Sequence, residues 1–212
     1  MRILRGTLVG VTSLVAVVGM AVSTTSVSTE AGGQQAMSNT MMMTTAQKIE
    51  NASSAAPASI SAQARILDWP ATPDGEPTEL RPGMNGWTCL PDVPQTEGND
   101  PMCLDEPWLE FIRAQLSKTP PMIEHVGIGY MLAPGGGAGS NTDPYATMAT
   151  SDNHWHVHPP HLMIIVPDPA ALEGLPTDPT NGGPYVMFEG TPYAHIMAPA
   201  SSATPMSGMM MK

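Results

Sequence analysis

Apolar residues recur every four positions at Trp108, Ile112 and Leu116, behind Asp105 and Pro107 and ahead of Lys118 and Pro120-Pro121. That spacing predicts an amphipathic helix. Asp105 caps its first turn, Pro107 sits where a missing N–H costs nothing, Lys118 suits the carboxyl end, and two prolines stop the helix. Residues 123–132 change period: Val126, Ile128, Tyr130 and Leu132 alternate with His125, Gly127 and Gly129. Period two predicts a strand, one face of it kept backbone-tight by glycine. Residues 161–166, 185–189 and 193–198 read as three further strands, the last two separated by Gly190-Thr191-Pro192, a length suited to a hairpin. Strands mixed with one clear helix, without βαβ alternation, predict an α+β fold with a small, mostly antiparallel sheet and long Pro- and Gly-rich loops.

The ends of the chain lack both periods. Arg2 and Arg5 precede an apolar run over residues 8–22, and Ala21-Val22-Ser23 offers the small-x-small pattern of signal-peptide cleavage. Residues 1–23 are therefore expected to be a signal peptide and the chain to be exported, to a periplasmic or extracellular location. The run is too short for the roughly 20 apolar residues that cross a bilayer, so no membrane span is expected after cleavage. Residues 24–62 are Ser, Thr, Ala, Gln and Met with charges only at Glu30, Lys48 and Glu50. Such a segment buries too little apolar surface to offset ordering its backbone, and it reads as a disordered linker with at most a helical turn near residues 47–52. Residues 199–212 read as a disordered, Met-rich tail. The ten aromatic residues all lie between Trp69 and Tyr193 and the six histidines between His125 and His195, which places a single globular domain at residues 63–198.

Charge and cysteine count narrow the class of protein. The net charge is −11, and removal of residues 1–23 takes away two arginines and no acid, leaving −13. No basic cluster remains to hold a phosphate backbone, which excludes nucleic acid as a partner. Cys89 and Cys103 are the only cysteines, and in an oxidising compartment they are expected to pair. Closing the polar loop between them contributes on the order of 3 kcal/mol in the chain-entropy model.

The densest chemistry lies in Asn153-His154-Trp155-His156-Val157-His158-Pro159-Pro160-His161, with four histidines in eight positions. On a strand, His154, His156 and His158 share a face, and neighbours at that spacing are about 6.6 Å apart, within reach of one metal ion. His154 and His158 are roughly 13 Å apart, too far to share an ion readily. Polyproline geometry at Pro159-Pro160 turns His158 and His161 to one face. The expected ligands are His156, His158 and His161, with His154 as an alternate and His125 or His195 completing the site if their strands lie adjacent.

Imidazole accepts zinc, copper and nickel alike. The methionines of the flanks, Met37, Met41, Met42 and Met43 before the domain and Met206, Met209, Met210 and Met211 after it, offer thioethers, which select Cu(I). That orders copper ahead of zinc and makes the tail a secondary Cu(I) candidate. Gly135-Gly136-Gly137-Ala138-Gly139-Ser140 is followed by no lysine and no helix, so neither phosphate-loop pattern is met, and the stretch reads as a flexible loop. Neither Gly-x-Ser-x-Gly nor His-Glu-x-x-His occurs, so no catalytic signature is present.

The motifs Asn85-Gly86-Trp87-Thr88-Cys89, Gly129-Tyr130-Met131-Leu132, Asn141-Thr142-Asp143-Pro144-Tyr145, Pro160-His161-Leu162-Met163 and Gly190-Thr191-Pro192-Tyr193-Ala194-His195 together resemble a group of exported bacterial proteins of unknown function, a resemblance that implies no activity. The functional expectation is an exported transition-metal binding protein, copper first and zinc second, acting as buffer or carrier rather than as an enzyme. The rival is a structural or interaction domain of the cell envelope, with an envelope protein as partner and the histidines incidental.

Overall fold

Period-two alternation dominates the computed structural model, which describes residues 43–72, 75–94, 96 and 98–200. Eleven strands occur among those residues: β1 (Arg65–Asp68), β2 (Thr78–Arg81), β3 (Thr88–Leu90), β4 (Gly98–Asn99), β5 (Met102–Leu104), β6 (Gly127–Met131), β7 (Gly136–Ser140), β8 (Trp155–Val157), β9 (His161–Ile165), β10 (Tyr185–Met187) and β11 (His195–Pro199). Three α-helices accompany them, α1 (Thr45–Ser54), α2 (Ala58–Ser61) and α3 (Glu106–Leu116), with a 3₁₀ turn at Pro169–Leu172. Eight strands form one sheet in the order β10-β11-β9-β6-β5-β3-β1-β2, and β4-β7-β8 form a second. The pairing is antiparallel except between β1 and β3. The α+β class stands, with a mixed sheet larger than the alternation of four strands suggested. None of the described helices is long and apolar enough to cross a membrane.

Each strand of the large sheet sends alternate residues to opposite faces. Toward α3 point Leu67, Leu90, Leu104, Met163, Ile165 and Met197, which with Trp108 and Phe111 make the main core. The other face carries Ile66, Cys89, Cys103 and Tyr130 against Ala52 and Ala55 near α1, and farther along Val186 and Ile196 against Leu172. Cys89 and Cys103 stand directly opposite one another on β3 and β5 and form a disulfide.

The helix α3 begins as its sequence requires. The Asp105 side chain accepts from Trp108 N at 3.1 Å and also from Ile128 N at 2.6 Å, so the cap ties the helix to β6. Its buried face is Trp108, Phe111 and Ala114. Leu116, which the spacing of four assigned to that face, is 72% exposed. The helix lies close because Gly127 and Gly129 present no side chain beneath it. A Cβ on Gly127 would sit 2.8 Å from Pro107 Cβ and 2.7 Å from Ile165 Cγ1. Gly127→Ala is therefore expected to lower stability by about 1–3 kcal/mol through overpacking. Urea unfolding checks this, and a midpoint equal to that of the unchanged chain would show that the helix moves freely.

Residues 43–62 differ from the linker expectation. Thr44 and Gln47 form a reciprocal capping box at α1, and Ala52 and Ala55 are fully buried. Lys48 pairs with Asp68 at 2.6 Å, and Asn51 Oδ1 accepts from Asp92 N at 2.7 Å. Alanine made this face inconspicuous in the sequence, yet its small side chain is what lets α1 approach the sheet. The expected signal peptide, the earlier part of the linker and the tail methionines 206–211 lie outside the described residues.

The glycine-rich stretch forms β7 rather than a loop. Gly136 has φ +60°, and a Cβ there would fall 2.1 Å from His158 O. Glycine thus allows the histidine segment to press against β7, where His158 N donates to Gly137 O at 2.9 Å.

A histidine and methionine cavity

Between the two sheets, under α3, lies a cavity of about 250 Å³. The large sheet supplies its floor through a repeated two-residue pattern. His161 and Met163 on β9 and His195 and Met197 on β11 face inward together, with Met163 opposite Met197 in the register. Tyr185 and Met187 on β10 extend the pattern, with Met187 opposite His195. Met102 and Met131 add two more thioethers, while β7 and His158 form the roof.

The three histidines of the cavity are nearly inaccessible, His158 at 6%, His161 at 3% and His195 at 3% exposure. Their Nδ1 atoms are all engaged. His161 Nδ1–H donates to Pro159 O at 2.7 Å, and His195 Nδ1–H donates to Tyr193 O at 2.9 Å, the same bond to the carbonyl two residues back. A neutral ring whose Nδ1 donates carries its lone pair on Nε2. His158 Nδ1 lies 2.8 Å from the Tyr185 hydroxyl, which can accept from it and leave Nε2 bare in the same way. The Nε2 atoms of His158 and His161 are buried without a hydrogen-bond partner, and the two ring centroids are 6.0 Å apart. Such atoms are costly to leave unsatisfied and call for an explanation.

Burial keeps these rings neutral. It holds His158 down at about 4, assisted by positive charge on His161, His156 and His195, and it holds His195 down at about 4 and lowers His161. Tyr185 is pushed up to about 12 by burial, so its hydroxyl stays protonated. Asp100, beside Gly137 at the cavity wall, is raised to about 7, first by burial and then by its hydrogen bond with Asp92.

These shifts set a pH dependence of the metal-free protein. The unfolded chain takes up protons near pH 6.5 on His158 and His195 that the folded chain refuses until pH falls toward 4, and His161 is shifted in the same direction, so their contribution is complete above 6.5 and is lost on acidification. Asp100 acts oppositely, since its folded form holds a proton that the unfolded chain releases near 4. Asp105, which burial also raises, acts in the same sense as Asp100, so three histidines stand against two carboxyls. Stability should therefore rise between pH 4.5 and 6.5. Urea unfolding at several pH values measures it, and a flat or falling profile would contradict the neutral buried rings.

The remaining histidines stand apart from the cavity. His154 is exposed with φ +47°, His125 is exposed just before β6, and His156, half-buried on β8, pairs with Gly139. Among the described residues, no three side chains of the His, Cys, Asp and Glu types come together as a metal-holding group. What the fold brings together is a pair, His158 and His161, in a surround of thioethers. The five cavity methionines were not singled out from the sequence, although His161-x-Met163 and His195-x-Met197 carried the signal as equal spacings on two strands. No protein-family model, curated protein or solved structure matches the chain.

Proposed function

We propose that the protein is an exported copper-binding protein, a buffer or carrier that holds Cu(I) between Nε2 of His158 and Nε2 of His161 with methionine thioethers completing the coordination. The observation that carries this reading is the pair of buried Nε2 atoms without partners in a methionine-lined cavity. A metal-binding imidazole usually has its second nitrogen fixed by a carbonyl or hydroxyl, and Pro159 O and the Tyr185 hydroxyl supply that here. Thioethers favour Cu(I), whereas zinc prefers nitrogen, thiolate and carboxylate donors. The terminal methyl of Met187 and Nε2 of His158 both lie within 4 Å of the Cβ position on Gly139, so both side chains reach the same part of the cavity wall.

The test is titration of the full chain with Cu(I) under reducing conditions against a colorimetric chelator, with Zn(II) in parallel. One Cu(I) per chain, bound tighter than micromolar and at least tenfold tighter than Zn(II), is the expected result. Absence of Cu(I) binding below millimolar concentration would end the reading.

A further inference from the structure

A groove of about 700 Å³ is walled by the second half of α3, by Ala138 of β7, by Trp155 of β8 and by residues 144–149. Three aromatic rings line it, those of Trp69, Tyr145 and Trp155. Apolar side chains in its wall stand open to water, Met148 at 68% exposure and Leu116 at 72%. Among the described residues that wall it, only Lys118 is charged, and its Nζ lies 5.3 Å from the centre of the Tyr145 ring. Thr96, Gln115 and Thr147 add polar groups, two of them committed: Thr96 Oγ1 donates to Asp100 Oδ2 and Gln115 Nε2 donates to Pro144 O. Exposed apolar surface gathered in one place marks an interaction site.

A segment of matching chemistry starts nearby. Residues 201–212, which lie outside the described residues, read Ser-Ser-Ala-Thr-Pro-Met-Ser-Gly-Met-Met-Met-Lys and carry no charge before Lys212. Ala200 N donates to Pro160 O at 2.8 Å, Pro160 is three residues from Val157, and Val157 stands opposite Ala138 in the groove wall. That path is at most about 23 Å between Cα atoms. An extended chain covers about 3.4 Å per residue, so Met209, nine residues beyond Ala200, reaches about 30 Å. The direction favours it as well. His195, Met197 and Pro199 alternate onto the face of the sheet that α3 covers, whereas the other methionine-rich segment, residues 37–43, precedes α1, which packs on the opposite face against Ile66 and Cys89.

We propose that the groove is the docking site of this chain's own carboxyl-terminal segment, with the thioethers of Met206, Met209, Met210 and Met211 laid against the Trp69, Tyr145 and Trp155 rings. Thioether sulfur packs favourably against aromatic rings, and an unbranched side chain adapts to an irregular wall. Residues 201–211 bring no charge to be buried there. Tethering makes the contact intramolecular, at an effective concentration in the millimolar range, so even a weak intrinsic affinity fills the groove. The inference gives these methionines a packing role and does not depend on copper.

The experiment is timed oxidation of the metal-free full chain by dilute hydrogen peroxide, with sulfoxide formation at each methionine followed by mass spectrometry. Met84 and Met122, 86% and 81% exposed and outside the groove, are the internal standards. The tail methionines and Met148 are expected to oxidise at least fivefold more slowly than these two. Leu116→Glu, a change at an exposed position in the groove wall, should bring the tail methionines up to the rate of Met84. The fourfold variant Met206→Ser, Met209→Ser, Met210→Ser, Met211→Ser, which alters none of the described residues, should speed the oxidation of Met148 at least threefold. Tail methionines as reactive as Met84 in the unchanged chain, or protection that survives Leu116→Glu, would overturn the proposal. Protection of Met37, Met41 and Met42 in place of the tail would assign the groove to the other segment, and protection lost on dilution would assign it to a second copy; either result also overturns it. The comparison within the unchanged chain needs no variant, so it stands even if a substitution impairs folding.

Discussion

Replacing both His158 and His161 by leucine is expected to weaken Cu(I) binding at least a hundredfold, which corresponds to about 2.7 kcal/mol. Each leucine keeps an apolar volume in the cavity and removes one imidazole, leaving only thioethers around the metal. The double variant should nonetheless fold at least as well as the unchanged chain near pH 7, because it eliminates two buried polar atoms that have no partners in the metal-free protein. A loss of copper without a loss of stability separates a binding role from a packing role. The contrast with other histidines sharpens the result: His154→Ala and His125→Ala, both exposed, should leave affinity unchanged. If those two substitutions weaken Cu(I) as much as the leucine pair, the site lies outside the cavity. The ligands must also be neutral to bind, and burial already holds these rings below their ordinary value. Cu(I) affinity should therefore persist to lower pH than an exposed His-x-His pair allows.

The largest loss of stability is expected from Trp108→Ala, about 3–5 kcal/mol. Trp108 is 1% exposed at the start of α3 and contacts Phe111 at 4.6 Å between ring centroids. Its Nε1 donates to Met163 O at 3.2 Å, so truncation also costs a buried hydrogen bond. The same ring packs edge to face with His195 and lines the cavity, onto which the void left by alanine would open. Trp108→Phe, which retains most of the packing and loses the bond, should cost less than half as much. Urea unfolding of both variants measures this, and equal costs for Phe and Ala would show that the hydrogen bond, rather than the buried area, dominates.

The helix α3 and its cap were legible because their determinants are local: Asp105, Pro107 and the prolines after Thr119 act within a few residues of themselves. The later strands were legible for the same reason, since alternation at residues 127–131 and 161–165 is a property of consecutive side chains. The early part of the sheet was not. Strands of three or four residues such as β1, β3 and β5 are shorter than any window in which a period can be recognised, and they exist because their neighbours pair with them. Helix α1 was read as no more than a turn near residues 47–52 because alanine carries little hydropathy, while its contribution is the close approach that Ala52 and Ala55 permit.

The sequence by itself determined that the histidines crowd into one segment, that Cys89 and Cys103 would meet, and where the main helix would begin and stop. Which histidines count was decided by tertiary structure alone. His154, His156 and His158 are neighbours along the chain, yet the positive φ of His154 and the pairing of β8 with β7 leave only His158 inside. His195 lies 34 residues from His161, yet β9 and β11 are adjacent in the sheet and turn both rings to one face. Spacing along a strand fixes which face a side chain takes relative to its own neighbours, but which face is buried, and against what, depends on the strands and helix that cover it.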